Sequence, residues 1–463
     1  MLFSSLEFLY LFLPFTLALY FLSPRGVKNY VLLVASLIFY GIARPEYLPL
    51  LLAVCFMDYL FGLAVASAKS EAGANALTAV AVIFNVGTLF VYKYFDAVLI
   101  FFGFEPMGIE LPTGISFYIF QAVSYVCDVR RRAARVQRDP LLFTTYVSLF
   151  PQLVAGPIVR YTEIEAQLTD RKHSVSAVAE GLRLFSVGLA KKMLLANGAG
   201  ECWERMVRYS IHGGTMLGAW LGLVFFAFQI YFDFSGYSDM ARGLGRIFGF
   251  EFPENFRYPY VSRSITEFWR RWHITLSSWF REYVYIPLGG NRHGKKRMYL
   301  ALFATWLLTG IWHGAGLNFL LWGMYFFVLL VIEKAFLKKR LDRAPSLIAH
   351  AYALFFILIG WLIFECGGTL NYGQGVEYLG QLFGIGCEAV SRDALFELLR
   401  NLPYIFIMAI GVTPLPARIF EIIKKRNERV ATCVASVLSI LSFVLCTCYL
   451  ADSGYNPFLY FKF

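Results

Sequence analysis

Charge is scarce in this chain. Asp, Glu, Lys and Arg make up 16% of its 463 residues, against 58% hydrophobic. A soluble chain this apolar would aggregate, so a set of soluble domains is excluded. No Lys or Arg precedes Arg25. That excludes a basic n-region and makes residues 2–22 an uncleaved first span rather than a signal peptide. The eight cysteines form no C-x-x-C pair and no zinc spacing. No metal site is therefore expected, and most cysteines read as packing residues. A phosphate-binding glycine loop, a G-x-S-x-G elbow and an H-E-x-x-H pair are all missing. Phosphoryl transfer, serine hydrolysis and zinc proteolysis lose their usual signatures with them. Internal repeats and low-complexity segments are absent too.

What is there is a series of apolar runs, several reaching the roughly 20 residues needed to cross a bilayer. Expected spans lie near 2–22, 30–43, 48–68, 76–101, 112–127, 178–196, 215–233, a pair within 298–332, 348–364, 402–420 and 430–450. The 46 Phe, 28 Tyr and 9 Trp suit lipid-facing helices with aromatic belts. Net charge is +11, and its placement in loops fits the positive-inside rule better than nucleic-acid binding. Basic clusters at 130–138, 334–343 and 418–429 are therefore expected in the cytoplasm. Counting from them puts both termini outside.

Residues 141–159 resist a simple count. They are apolar but carry Pro151 and Pro157, and a crossing here would put the eleven Lys and Arg of 239–297 outside. A re-entrant element beside an internal cavity is expected, with a proline-kinked span as the alternative. Within 239–297, Ser264 and Glu267 form a capping box for a helix running towards Tyr285, stopped by Pro287 and the glycines after it. Trp269, Trp272, His273, Leu276 and Phe280 share one face of that helix, and Arg270, Arg271 and Arg281 fall elsewhere. The pattern fits an interfacial anchor or a receptor for the phosphates of a nucleotide-based carrier. On the apolar face, His273 is either a satisfied core residue or a catalyst.

His313 lies in W-L-L-T-G-I-W-H-G-A-G-L-N at 306–318. Sixteen residues beyond Arg297, at 1.5 Å each, place it about 24 Å deep in a helix. Ionisable groups at that depth mark a pathway or a reaction site, although a structural histidine is an equal alternative. Gly310, Gly314 and Gly316 permit close approach of a substrate or another helix. Asp233 closes an apolar run and either orients a cationic partner or caps the next helix. The outer segment 365–400, with Leu395 and Phe396, reads as a hydrophobic hairpin for docking an extracytoplasmic partner, or as a lid.

These residues, with L-P-T-G-I-S-F at 111–117, F-P-Q-L-V-A-G-P-I at 150–158, D-F-S-G-Y-S-D at 233–239, N-F-R-Y-P-Y at 255–260 and N-P-F-L-Y-F-K-F at 456–463, carry a resemblance. The chain resembles membrane-bound O-acyltransferases of the alginate O-acetyltransferase branch. The resemblance implies one integral-membrane domain over 1–463: an all-α polytopic fold of about 11–13 transmembrane or re-entrant helices around a central tunnel. It implies transfer of an acetyl group from a cytoplasmic thioester, acetyl-CoA, to an extracytoplasmic polysaccharide. The setting it implies is the bacterial inner membrane, with an SGNH-type acetyltransferase partner. His313 and His273 match the family's two histidines. Arg270, Arg271, Trp272, Trp312, Asn318, Asp233 and Gln152 are the candidates for donor binding or the tunnel wall, and no cofactor is expected. D-alanyl transfer to teichoic acid and peptidoglycan O-acetylation are alternatives on the same fold. A proton-coupled transporter is the alternative of another class.

Overall fold

The computed structural model describes residues 1–452, 454–457 and Leu459. Of the terminal motif at 456–463, Phe458 and residues 460–463 lie outside the described residues, as does the expected outer position of Phe463. The described residues form helices, with two isolated bridges and no strand. Among the described residues, eight helices are long and apolar enough to cross a membrane. The chain is therefore an all-α, multi-pass membrane protein.

Two units divide it. The first holds Met1–Leu189, Tyr237–Glu254 and Leu450–Asp452. Its helices are α1 (Leu13–Leu22), α2 (Lys28–Ala43), α3 (Leu48–Ser67), α4 (Glu71–Phe101), α5 (Ile115–Arg130), α6 (Pro140–Ser148), α7 (Phe150–Leu153), α8 (Tyr161–Thr169) and α9 (Val175–Ala190). Phe3 packs on Phe8, Phe39, Phe150 and Tyr237 and so plugs the core of this unit. Gly114 starts α5 at φ +78°, and a Cβ there would strike the Leu153 carbonyl. Only glycine combines that φ with that approach, which joins the motifs at 111–117 and 150–158.

α5 is buried along nearly its whole length, so the expected span at 112–127 is an interior helix. Residues 141–159 do not cross. α6 has nine residues, about 14 Å of helix, and the chain then bends at Leu149 (ψ 110°) into the four-residue α7. Residues 145–159 are buried, and the segment lines no part of the cavity described below.

The second unit holds Ala190–Gly236, Asn255–Tyr449 and the described residues after 453. Its helices are α10 (Asn197–Ile211), most of α11 (Met216–Ile247), α12 (Ile265–Trp269), α13 (Ile274–Phe280), α14 (Gly294–His313), α15 (Leu317–Ile332), α16 (Lys338–Arg343), α17 (Ser346–Glu365), α18 (Tyr372–Leu382), α19 (Arg392–Gly411), α20 (Leu415–Arg426) and α21 (Glu428–Asp452). Three expectations change here. α11 runs unbroken through 231–239, so that polar run ends no helix and Asp233 caps none. The expected span at 402–420 is α19, which starts ten residues earlier, followed by the separate α20. The expected outer hairpin is largely α18 and the first turns of α19; Leu395 and Phe396, 45% and 62% exposed, project from a helix apolar enough to meet lipid.

The hairpin of α14 and α15 is set by glycine. A Cβ at Gly323 would lie 2.5 Å from the Trp306 carbonyl oxygen, and one at Gly310 would lie 2.6 Å from that of Phe319. Backbones meet where small residues face each other, as helix pairs in lipid favour. Gly323→Leu is expected to lower stability by about 1–3 kcal/mol through overpacking, read as a fall in the thermal midpoint in detergent. Gly87→Leu, whose Cβ meets open space, is the control expected to leave the midpoint unchanged.

Candidate active site

The segment 264–285 is one continuous helix by spacing, but it folds as two. Ser264 Oγ accepts from Glu267 N at 3.0 Å and starts α12. The other half of the expected capping box is absent: Glu267 reaches Arg263 N at 3.0 Å. A second carboxylate holds this helix start. Glu333, 2% exposed at the end of α15, accepts from Ile265 N (2.6 Å), Thr266 N (2.9 Å) and Thr266 Oγ1 (2.6 Å). α12 ends at Trp269, and His273 takes the left-handed conformation at φ +43°, ψ 55° before α13. That conformation costs about 1–2 kcal/mol in a non-glycine residue. It is held by Asn255, whose carbonyl accepts from Ile274 N (2.9 Å) and whose Oδ1 accepts from Thr275 N (3.2 Å) and Thr275 Oγ1 (2.9 Å). His273 Nδ1 lies 3.0 Å from the same Oδ1. Burial pushes the His273 imidazole down to about 3, so it is neutral at ordinary pH.

α14 contributes a stripe at helical spacing: Leu302, Thr305, Trp306, Thr309 and His313 all line one cavity of about 320 Å³. Eleven residues at 1.5 Å each give it a wall about 16 Å long. α15 runs back beside it and adds Trp322, Leu330 and, beyond its end, Lys334. The kinked segment supplies Trp269, Arg270, Trp272, His273, Leu276, Phe280 and Arg281. The kink therefore keeps the five aromatic and apolar positions on one wall. It also brings Arg270 and Arg281 onto that wall, where continuous helical spacing would send them elsewhere.

The cavity has two unlike ends. Lys334 sits 5.9 Å from the Tyr285 ring centroid, with Arg270 and Arg281 close to that pair. Cations thus gather at one end. At the other, His313 is 6% exposed among the rings of Trp312, Trp322 and Phe364, whose centroids lie 4.9, 5.0 and 5.2 Å from its own. Asp233 lines the same cavity. Its carboxylate pairs with Lys192 at 2.7 Å, both side chains almost fully buried, and accepts from Leu459 N at 2.9 Å. Lys192 also donates to the Pro457 carbonyl.

Of the residues singled out by sequence, His313, His273, Arg270, Trp272 and Asp233 share the cavity. Four stand apart from its lining. Arg271 is tied to Glu267 at 2.8 Å and to the Arg257 carbonyl at 3.1 Å. Trp312 packs on both histidines, 6.3 Å from the His273 ring and behind the wall. Asn318 donates to the Phe364 carbonyl at 2.7 Å and braces the α15–α17 contact. Gln152, in the first unit, donates to the Tyr146 carbonyl at 2.5 Å. Sequence reasoning missed Lys192, Glu333, Lys334 as a wall residue, and the Trp269, Trp306 and Trp322 cluster. Only the tryptophans left a signal, their helical spacing.

A model described as the membrane-bound O-acyltransferase family matches residues 37–366. The chain is similar to the probable alginate O-acetylase AlgI of Pseudomonas putida, at 37% identity over all of both chains. It is similar also to the protein of the same name in Azotobacter vinelandii, at 41% identity over 79% of this chain and 75% of that one. The peptidoglycan O-acetyltransferase of Helicobacter pylori is 33% identical over 85% of this chain and 82% of its own.

The Lys192–Asp233 pair generates a direct test of what holds the inner end of the cavity. Removing one partner of a buried ion pair leaves an uncompensated charge and costs about 3–5 kcal/mol, whereas replacing both with apolar groups is often neutral. Lys192→Met is expected to depress the thermal midpoint strongly, and Lys192→Met with Asp233→Leu to recover most of it. Equal midpoints for wild type and Lys192→Met would show that the pair bears no structural weight.

Proposed function

The chain belongs to the membrane-bound O-acyltransferase family, and from that premise we propose that it carries an acetyl group from a cytoplasmic thioester to a hydroxyl destined for an extracytoplasmic polysaccharide. The observation that carries this reading is the single cavity that begins among Arg270, Arg281 and Lys334 and ends at His313. Cations suit the phosphates of an acetyl-CoA-like donor, because guanidinium and ammonium groups form charge-assisted bonds to phosphate. A narrow apolar passage suits a long thioester arm. Trp312, Trp322 and Phe364 exclude water around His313, which strengthens every polar interaction made there.

In this reading His313 is the general base. It takes the proton of the attacking hydroxyl as the acyl carbon–oxygen bond forms and the carbon–sulfur bond breaks, and the departing thiolate leaves as the thiol. The relatives' names support a cell-envelope glycan as the final acceptor, alginate foremost. The basic clusters at 130–138, 334–343 and 418–429 support a cytoplasmic donor side and the bacterial inner membrane as the setting. An extracytoplasmic SGNH-type acetyltransferase would then pass the group to the polymer.

Purified protein in nanodiscs, given acetyl-CoA, tests this through release of free thiol and acetylation of a soluble acceptor. His313→Ala is expected to lose at least about a hundredfold in turnover while remaining folded. Arg270→Glu with Lys334→Glu is expected to raise the donor KM with little change in kcat. Near-normal turnover by His313→Ala would overturn the base assignment.

A further inference from the structure

In the first unit, cations gather around one tyrosine. Tyr20 is fully buried near the end of α1 and donates its hydroxyl hydrogen to the Phe248 carbonyl at 2.7 Å. A hydroxyl has one hydrogen and two lone pairs. Arg171 Nε at 3.2 Å and His173 Nε2 at 2.9 Å therefore both donate to its oxygen. Lys28 Nζ lies over the same ring, 4.5 Å from its centroid, and 5.2 Å from that of Phe21. The Arg171 guanidinium rests on the Phe250 ring at 4.5 Å. The charges that act on Lys28 are those of Arg25 and Arg171, and those that act on His173 are Lys28, Arg171 and Arg25. All are positive. Burial first, and then these three charges, hold the His173 imidazole below its usual range.

Like charges held together repel unless something of opposite sign joins them. The cluster is open to a ligand: Arg25 and His173 are exposed, and Lys28 and Arg171 half-buried. It stands where α1 ends and α2 begins. α2 starts with no acidic residue in its first turn and no side chain bonded to its cap, so the positive end of its dipole adds to the same field. Beside the cluster, Leu19, Phe21 and Leu22 are 44%, 41% and 85% exposed at the end of an apolar helix. We propose that this cluster binds the headgroup phosphate of an anionic membrane lipid, whose acyl chains lie along the end of α1. Guanidinium and ammonium groups form charge-assisted bonds to phosphate oxygens. A zwitterionic headgroup brings its own ammonium group, which the cations repel, so the site selects lipids of net negative charge. A soluble phosphate would gain nothing from the exposed apolar residues. Every residue of the site belongs to the first unit, and none lines the cavity of the second. The site therefore stands whether or not acyl transfer is the reaction.

Native mass spectrometry of the full chain, delipidated in detergent and titrated with phosphatidylglycerol or phosphatidylcholine, reads the site directly. The wild type is expected to bind phosphatidylglycerol at least about tenfold more tightly than phosphatidylcholine. Lys28→Gln is expected to weaken phosphatidylglycerol binding about fivefold, and Arg25→Gln with Lys28→Gln about 30-fold, the usual effect of basic residues beside an anionic headgroup. Lys424→Gln with Lys425→Gln removes two exposed cations from α20 and is expected to leave that binding unchanged. A wild type that binds both lipids alike would overturn the proposal, whether or not the variants fold. So would an equal loss in the α20 variant, which would mark a general attraction to basic surface. Inorganic phosphate bound as tightly as phosphatidylglycerol, and lost in the same double variant, would make this a free-anion site and overturn the lipid assignment.

Discussion

Burying charge among apolar helices costs several kcal/mol per ion unless a partner is supplied, and that constraint shapes the second unit. Water is not available at membrane depth to satisfy a stray group. Three buried polar residues there each tie two elements together. Asp233 of α11 meets Lys192 and the backbone at Leu459. Glu333 of α15 meets the start of α12. Asn255 meets His273 and the start of α13. The walls of the cavity are the elements so tied, which is why a helix can break at His273 without the surrounding structure collapsing into the gap.

The same constraint grades the cavity along its length. Arg270, Arg281 and Lys334 stand at one end, where Lys334 rests over the Tyr285 ring. Lysine stems pack on apolar surface while their heads seek a polar phase. About 16 Å further along α14, His313 is enclosed by rings. A phosphate-bearing donor and a compact acyl group ask for those two environments in that order. An acyltransferase that works across a membrane needs its base where both a cytoplasmic thioester and an outer acceptor can arrive.

Much of this was legible in the sequence, and the reasons differ by residue. His313 stood out because a histidine is rare in an apolar stretch, and the stripe from Leu302 to His313 follows helical periodicity. The break at His273 was not legible. No proline or glycine interrupts 264–285, and the turn depends on Asn255, a contact that only tertiary structure supplies. Asp233 looked like the end of a span because a carboxylate inside one is costly. Lys192, 41 positions earlier by sequence, removes that cost and lets α11 continue. Glu333 gave no signal, because its partners at the start of α12 lie 68 and 67 positions away. The early start of α19 was within reach: Ser391 Oγ accepts from Ala394 N at 3.1 Å, a capping signal visible in the local sequence.

The central claim is that one passage joins the cationic mouth to His313 and carries the donor. A structure of the protein in nanodiscs with a non-hydrolysable acetyl thioester analogue tests it most directly. The account predicts phosphate density against Arg270, Arg281 and Lys334, and the acyl carbonyl beside His313 at the inner end of the same cavity. An analogue bound outside this cavity, or one whose acyl group ends away from His313 with its phosphates clear of the three cations, would contradict it.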